Sequence, residues 1–414
     1  MNKTFILGIG GTFMGNIAQF AKSLGKDVYG VDSKLYPPMS NILRDFKINF
    51  REGYNLENFI DADEYIIGNV VSRDNKLYQK IVREKKKITS GPRWLYENIL
   101  KDKTVIAISG THGKTTVTNL VSYALEQLRL EPSYLIAGAP KEIPSSLLQD
   151  GNLFVLEADE YDASCFDKGS KFFHYMPDVL LVNNIEFDHA DIFDNIDEIE
   201  SNFFKLISGL PQKSVVLLNR NGIRKSFLNQ LSLNASTQSK IKIFSANESN
   251  LIQENISSAT EVLKEFIDLK SIEKIFKTLP SVRRRFEYVY KSNSLDVIDD
   301  FAHHPTAISK TLKLAQQRYQ DLVLVLEIGS NSMKSGTHDV KLLEVLKDTK
   351  TFLVNASKEQ ISKFKETAEK ATLEKLIKIC GERTKKKRAI LFCGNKNFNR
   401  LQENLINHLI SDST

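Results

Sequence analysis

Short apolar runs, most of them closed by Gly, Asn or Asp, alternate along the chain with longer segments in which apolar residues recur every three or four positions. The runs read as strands and the periodic segments as helices. Their regular alternation predicts parallel sheets with crossover helices. Three blocks emerge. The first holds FILGIG (5–10), DVYGVD (27–32) and EYIIGNVV (64–71), with its last helix at WLYENIL (94–100). The polar stretch 101–103 reads as a linker. The second opens with TVIAISG (104–110), followed by a helix with Val117, Leu120, Val121, Ala124, Leu125 and Leu128 on one face. Its further strands are SYLIAGA, NLFVLEAD, DVLLVNNI and SVVLLN. The third starts near Leu279 and has SLDVIDDFA, DLVLVLEIG, KTFLVN and RAILFCG. No repeat of fixed period is apparent.

Length and composition agree with this picture. At roughly 100–200 residues per domain, 414 residues suggest two to four domains. A hydrophobic fraction of 41% and a charged fraction of 26% exclude a disordered, collagen-like or coiled-coil chain. Three scattered cysteines without C-x-x-C argue against a disulfide framework or zinc ribbon and fit a reducing cytoplasm. The first apolar run is too short and glycine-rich for a signal peptide, and no stretch approaches the roughly 20 apolar residues of a membrane span. The surplus of 57 basic over 51 acidic residues permits an anionic ligand. The basic runs at 85–87 and 385–388 read as solvated faces and not as a nucleic-acid surface.

The central block carries the strongest chemical signal. Gly110-Thr-His-Gly-Lys-Thr-Thr116 lies between a hydrophobic strand and an amphipathic helix. Such a loop presents backbone N–H groups at the positive end of the helix, a ready site for phosphates. Lys114 would reach the β- and γ-phosphates and the Thr115 hydroxyl would bind Mg²⁺. The motif departs from the standard P-loop, which has glycine where Ile108 stands. Acidic clusters close two later strands, at 156–162 and 183–191. Carboxyl ends of strands are where open α/β sheets bind ligands, and acids beside a triphosphate loop suit Mg²⁺. The third block opens with RRRFE (283–287), then DDFAHHPT (299–306), in which Pro305 fits a helix start. Its arginines could clamp a transferring phosphoryl group. In the first block Gly8-Ile-Gly10-Gly11-Thr-Phe-Met-Gly15 follows a strand, and Asp32 closes the next. Phe13 occupies the place of the third fingerprint glycine, so a nucleotide diphosphate is expected there, not necessarily NAD.

The ordered set GTHGKTT, EADEYD, NNIEFDHAD, RRFE and DDFAHHPT resembles the Mur ligase family, three-domain ATP-dependent amide-forming ligases of peptidoglycan synthesis. The segments GIGGTFMG, YPPMS (36–40), IGNVVSRDN (67–75), TSGPRWLYE (89–97), FDKGSKFFHY and SNSMKSGTH (330–338) resemble the branch that recycles cell-wall tripeptide by joining it to UDP-N-acetylmuramate. The resemblance implies an α/β fold of three domains. Residues 1–101 would be Rossmann-like and bind the UDP sugar, 102–279 a P-loop ATPase domain with a mostly parallel sheet, and 280–414 a Rossmann-like domain closing on ATP and binding the peptide.

It also implies residue roles. Gly8, Gly10, Gly11, Thr12 and Asp32 would serve the UDP sugar. Gly110, Thr111, His112, Gly113, Lys114, Thr115 and Thr116 would hold ATP, with Asn184, Asp300 and His303. Thr115, Glu157 and His189 match the metal site, with Glu160 an alternative to Glu157. Lys114, Arg285 and His189 match the catalytic set. Ser330, Asn331 and Lys334 fall at the peptide. Two departures stand out. The branch pattern E-P-R-S-N-T-M reads Glu327-Ile-Gly-Ser-Asn-Ser-Met333 here, so Gly329 replaces an arginine and another cation such as Lys334 would have to hold a peptide carboxylate. The stretch between Phe244 and Asn255 is also short, which predicts a trimmed sheet edge. Other functions remain open at this point. They are addition of free L-alanine to UDP-N-acetylmuramate, an NAD(P)-dependent oxidoreductase, and a non-catalytic nucleotide switch.

Overall fold

The structure is a computed structural model. It describes residues 2–411 except 38, 189–191, 235–237, 383 and 385. Contacts divide the chain into two compact units. One comprises 1–186, 197–246 and 256–281; the other comprises 187–196, 247–255 and 282–414.

The first unit contains two sheets. The N-terminal sheet has β1 (Lys3–Leu7), β2 (Asp27–Asp32), β3 (Asn49–Glu52), β4 (Glu64–Ile67) and β5 (Ile88–Ser90) in the order β3-β2-β1-β4-β5. All its pairs are parallel. The order reverses at β1, where a doubly wound sheet opens its ligand crevice, and the glycine loop follows that strand. The second sheet has β6 (Thr104–Ser109), β7 (Ser133–Leu135), β8 (Ser146–Leu147), β9 (Leu153–Ala158), β10 (Val179–Val182), β11 (Val215–Asn219) and β12 (Lys240–Phe244). Its order is β12-β11-β10-β6-β9-β7-β8, parallel except for the β7–β8 pair. Here β6 lies between β9 and β10, so the three strand ends expected to carry chemistry are neighbours. Ile106, Ile108, Val155 and Leu181 pack against Val117, Val121 and Leu125 of the helix Lys114–Gln127. Burial on both faces is why these strands read as continuous apolar runs. Leu128, expected on the helix face, instead caps its C-terminus.

The second unit contains β13 (Glu287–Lys291), β14 (Leu295–Asp300), β15 (Asp321–Glu327), β16 (Lys350–Val354), β17 (Ala368–Lys370) and β18 (Arg388–Cys393), ordered β13-β14-β18-β15-β16-β17. Only β13 runs antiparallel. Alternate residues serve opposite cores: Ile298, Leu324 and Leu326 on one face, Val297, Val323 and Val325 on the other. The helix Pro305–Gln316 starts with Pro305 in its first turn. Lys310 on this helix pairs with Glu254 at 2.7 Å, tying the segment 247–255 to the same unit. Among the described residues no helix is long and apolar enough to cross a membrane.

Candidate active site

The loop between β6 and the helix Lys114–Gln127 takes its shape from glycine. Gly110 has φ +133° and Gly113, at the helix N-cap, has φ +84°, both in the region that side chains disfavour. A Cβ on Gly110 would also lie 3.0 Å from the backbone of Asn184. Asn184 braces the loop from the end of β10. Its Oδ1 accepts the His112 amide at 2.8 Å and its Nδ2 donates to the His112 carbonyl at 3.0 Å. The Thr111 amide donates to the Asn184 carbonyl at 3.2 Å, and the Thr111 hydroxyl accepts the Glu186 amide at 2.9 Å. Asn184 therefore spends its amide on the loop itself. Thr116 is half-buried in the first helical turn.

Lys114 and Thr115 start the helix and face the end of β9. The Thr115 hydroxyl donates to Glu157 Oε2 at 3.0 Å, while Glu157 Oε1 accepts the Ala137 amide at 2.6 Å. Lys114 Nζ donates to the Gly110 carbonyl at 2.6 Å and lies 3.4 Å from Glu160 and 3.7 Å from Asp159. Lys171 approaches the same Asp159 at 3.3 Å. Burial pushes the Glu157 carboxyl above its ordinary range, and the charge of Asp159 adds to that; the Ala137 amide, Lys114 and Thr115 only partly offset them. Burial would also raise Asp159, yet Lys171 and Lys114 hold it down at about 2. Burial favours neutral Lys114, but Glu160, Asp159 and Glu157 outweigh it and raise its pKa. Lys171 shifts the other way, because burial outweighs its pairing with Asp159.

Glu157, Asp159 and Glu160 thus share two ammonium groups. A buried carboxylate disfavoured in its charged form, beside a threonine hydroxyl, is an oxygen donor set short of positive charge, and it fits a hard divalent cation. The structure sets Glu157 at the hydroxyl and Glu160 at the lysine. His189 lies outside the described residues. Sequence reasoning passed over Asp159, Lys171 and the Ala137 amide. Lys171 sits in the segment FDKGSKFFHY, but nothing local marks its burial.

In the N-terminal sheet, Gly8 has φ +83° and its amide donates to the Val31 carbonyl at 2.8 Å. Asp32 Oδ2 accepts the Gly10 amide at 2.8 Å, and Oδ1 accepts the Ser33 amide at 2.7 Å and the Tyr54 hydroxyl at 3.1 Å. Asp32 thereby holds the glycine loop against β2. Gly11 is the N-cap of the helix Thr12–Ser23, so Thr12 opens that helix. Its first N–H groups lack intrahelical acceptors. The close helix packing expected of a third fingerprint glycine falls at Gly15, where a Cβ would lie 2.1 Å from Met39 Sδ.

In the second unit, Arg285 is half-buried between Arg284 (φ +59°) and Phe286 (φ +50°), a turn held in the left-handed region on both sides. Its guanidinium lies 5.0 Å from the Phe301 ring centre. Asp300 accepts the amides of Phe286 at 2.7 Å and Ala302 at 2.8 Å and the Thr311 hydroxyl at 3.3 Å. It anchors the arginine turn to β14. His303 Nδ1 lies 2.8 Å from the Phe301 carbonyl. Ser330 caps the helix Asn331–Lys334, accepting the Met333 amide at 3.3 Å, and Asn331 and Lys334 are exposed. The room beside Gly329 is filled. A Cβ there would meet Asn395 Oδ1 at 2.3 Å and Lys396 Cγ at 3.1 Å.

Three family models match the chain: "Mur ligase family, catalytic domain" over 4–102, "Mur ligase middle domain" over 108–280, and "Mur ligase, glutamate ligase domain" over 284–396. The UDP-N-acetylmuramate–L-alanyl-γ-D-glutamyl-meso-2,6-diaminoheptandioate ligase of Haemophilus influenzae is 36% identical over 82% of each chain. A UDP-N-acetylmuramate–L-alanine ligase of Caldicellulosiruptor saccharolyticus is 29% identical over 79% of this chain and 77% of its own. The crystal structure of a murein peptide ligase from Psychrobacter arcticus superposes with a TM-score of 0.74 at 26% identity, covering 98% of both chains. With this similarity along nearly its whole length, the chain belongs to the Mur ligase family, ATP-dependent ligases that form carbon–nitrogen bonds.

Proposed function

We propose that this enzyme joins L-alanyl-γ-D-glutamyl-meso-diaminopimelate to UDP-N-acetylmuramate in the cytoplasm, at the expense of ATP and in peptidoglycan recycling. The observation that carries the reading is the site at the end of β6. There a glycine-shaped loop, Lys114 and the Thr115–Glu157 pair suit a nucleoside triphosphate, in a chain 36% identical to a ligase of that name. Residues 1–101 would bind the UDP sugar through Gly8, Gly10, Gly11 and Thr12. Residues 102–279 would bind ATP, and 280–414 the peptide. Arg285, Asp300, His303, Ser330, Asn331 and Lys334 carry their expected roles on motif position alone.

The chemistry follows from the substrates. A carboxylate is a poor acyl donor because its leaving group would be oxide. Transfer of the γ-phosphoryl group of ATP to the muramoyl carboxylate gives an acyl phosphate and releases ADP. The alanine amine then attacks the carbonyl carbon, loses a proton and expels phosphate. Two anions must meet for the first step, and Lys114 would offset their repulsion. Thr115 and Glu157 would hold Mg²⁺, which supplies charge neutralisation to the phosphate oxygens. Holding the reactants in line contributes further, on the order of 7–11 kcal/mol at best.

Phosphate release measured with UDP-N-acetylmuramate, MgATP and either tripeptide or L-alanine tests the reading. Tripeptide is expected to be preferred by at least tenfold. Preference for L-alanine would move the chain to the second activity, which the 29% identity to an L-alanine ligase supports more weakly. No release with either would sink the ligase reading.

A further inference from the structure

The reaction as described gives Lys171 no task, yet this lysine is only 4% exposed. A buried ammonium is costly unless paired, and its surroundings are specific. Nζ lies 3.3 Å from Asp159 Oδ2, 4.1 Å from the Tyr161 ring centre and 4.9 Å from the Phe13 ring centre. The backbone holds it in place. The Lys171 amide donates to the Tyr161 carbonyl at 3.0 Å, and the Phe172 amide donates to the Asp159 carbonyl at 3.3 Å. The residue therefore touches one neighbour of each loop assigned to phosphates, Phe13 beside the glycine loop and Asp159 beside Lys114. Phe13 follows Thr12 in the first turn after the glycine loop, and Asp159 is the acid whose other oxygen faces Lys114 at 3.7 Å.

We propose that Lys171 is a positioning residue that couples the two anion-binding loops of the first unit. It divides the charge of Asp159 with Lys114. With Lys171 in place, Lys114 keeps part of its ammonium for a phosphate. Without it, Asp159 and Glu160 would both draw on Lys114 alone, and the loop would bind a triphosphate less well. The Phe13 ring covers Lys171 from the side of the glycine loop. A UDP sugar that orders residues 8–12 would also fix that ring, and with it the ammonium and Asp159. The link acts through cation–ring and ion-pair contacts, which strengthen where water is excluded. It rests on the assignment of a nucleoside triphosphate to residues 110–116 and of a nucleoside diphosphate to residues 8–12.

The test is a binding titration of the full chain with a fluorescent ATP analogue and Mg²⁺, with and without UDP-N-acetylmuramate, run beside phosphate release. In wild type the UDP sugar is expected to tighten ATP-analogue binding several-fold. Lys171→Met should weaken it at least tenfold, and Lys171→Arg should recover most of the loss. Phe13→Leu keeps bulk but removes the ring face, so it should leave affinity within about threefold and abolish the effect of the UDP sugar. Lys171→Met binding the analogue as wild type does, or a wild type in which the UDP sugar has no effect, would overturn the proposal. Should Lys171→Met fail to fold, Lys171→Arg and Phe13→Leu decide it: full coupling in Phe13→Leu refutes the link. A wild type that binds the analogue with this dependence but releases no phosphate would refute the ligase reading and leave the coupling standing.

Discussion

Gly222, in the turn after β11, touches no expected ligand, yet it packs against Asn184, the residue that braces the loop at 110–116. Its carbonyl accepts the Ile185 amide at 2.8 Å. A Cβ at 222 would stand 2.4 Å from the Asn183 carbonyl oxygen, 2.6 Å from Asn184 Cβ and 2.8 Å from Asn184 Cα. All three are main-chain or first side-chain atoms, so no rotamer relieves the contact. In Gly222→Ala the end of β10 must retreat until these separations exceed 3.0 Å. Overpacking of this kind costs about 1–3 kcal/mol. At about 2–4 °C per kcal/mol for a domain of 150–250 residues, melting should fall by about 2–12 °C. Asn184 carries the two hydrogen bonds to His112 that brace the loop. Loss of both, at roughly 1 kcal/mol each, would weaken ATP about 30-fold. Differential scanning fluorimetry, with ATP titrated into each variant, reads both effects. Gly209→Ala, where nothing lies within 4 Å of the added carbon, is the control and should melt as wild type does. A Gly222→Ala protein that melts within about 1 °C of wild type, less than the smallest shift expected, and binds ATP equally well would refute the bracing role.

Lys114→Met should abolish phosphate release and also lower the melting temperature without ATP, since it leaves Glu157, Asp159 and Glu160 with Lys171 as their one ammonium; residual turnover above about 1% in a phosphate assay contradicts its role. Burial lifts the Asp299 carboxyl to about 6 against the pull of Arg284. The folded state then holds its proton more tightly than the unfolded chain, so this contribution is full below 3.8 and is lost as pH rises through about 6, roughly 3 kcal/mol in all. Asp299→Asn should gain on wild type across that window in urea unfolding, and parallel pH profiles would exclude it. Glu64 accepts hydrogen bonds from Thr4, Lys26 and Trp94 at 2.7, 2.6 and 3.2 Å. Glu64→Ala strands a partly buried lysine and should cost about 3–5 kcal/mol, followed by fluorescence of the chain's single tryptophan. Gly329→Arg should lower stability, and a Lys396→Gly change should restore part of it; additive effects in thermal melts would show that the two positions do not share space.

Strands with both faces buried were readable because their apolar runs end where the chain turns. That made β6, β9, β10, β14, β15 and β18 visible, along with the loop that follows β6. Strands of mixed character were not. β13, EYVYK, is half-exposed at an antiparallel edge, and β8 has two residues. The site divides in the same way. Lys114, Thr115 and Glu157 sit at motif positions, and the structure brings them together. Lys171 was not legible as a site residue because its meaning depends on Asp159, 12 positions earlier, and on Phe13 in the first turn of the helix Thr12–Ser23. Asn184 and Asp300 were legible as important but not in kind. Both use their polar atoms to shape loops, which only the hydrogen-bond partners reveal.

β12 lies at the rim of its sheet. A rim strand offers a row of unpaired amides and carbonyls to any passing strand. β12 reads KIKIF, and its Ile243 is 43% exposed. Lys240 is exposed, and Lys242 is pinned to Glu265 at 2.6 Å. A second copy approaching edge-on would have to desolvate one ammonium and break the other's ion pair. These two lysines are therefore gatekeepers of solubility at the edge of this sheet. Replacing both with threonine would keep the strand and turn its rim into a template for aggregation.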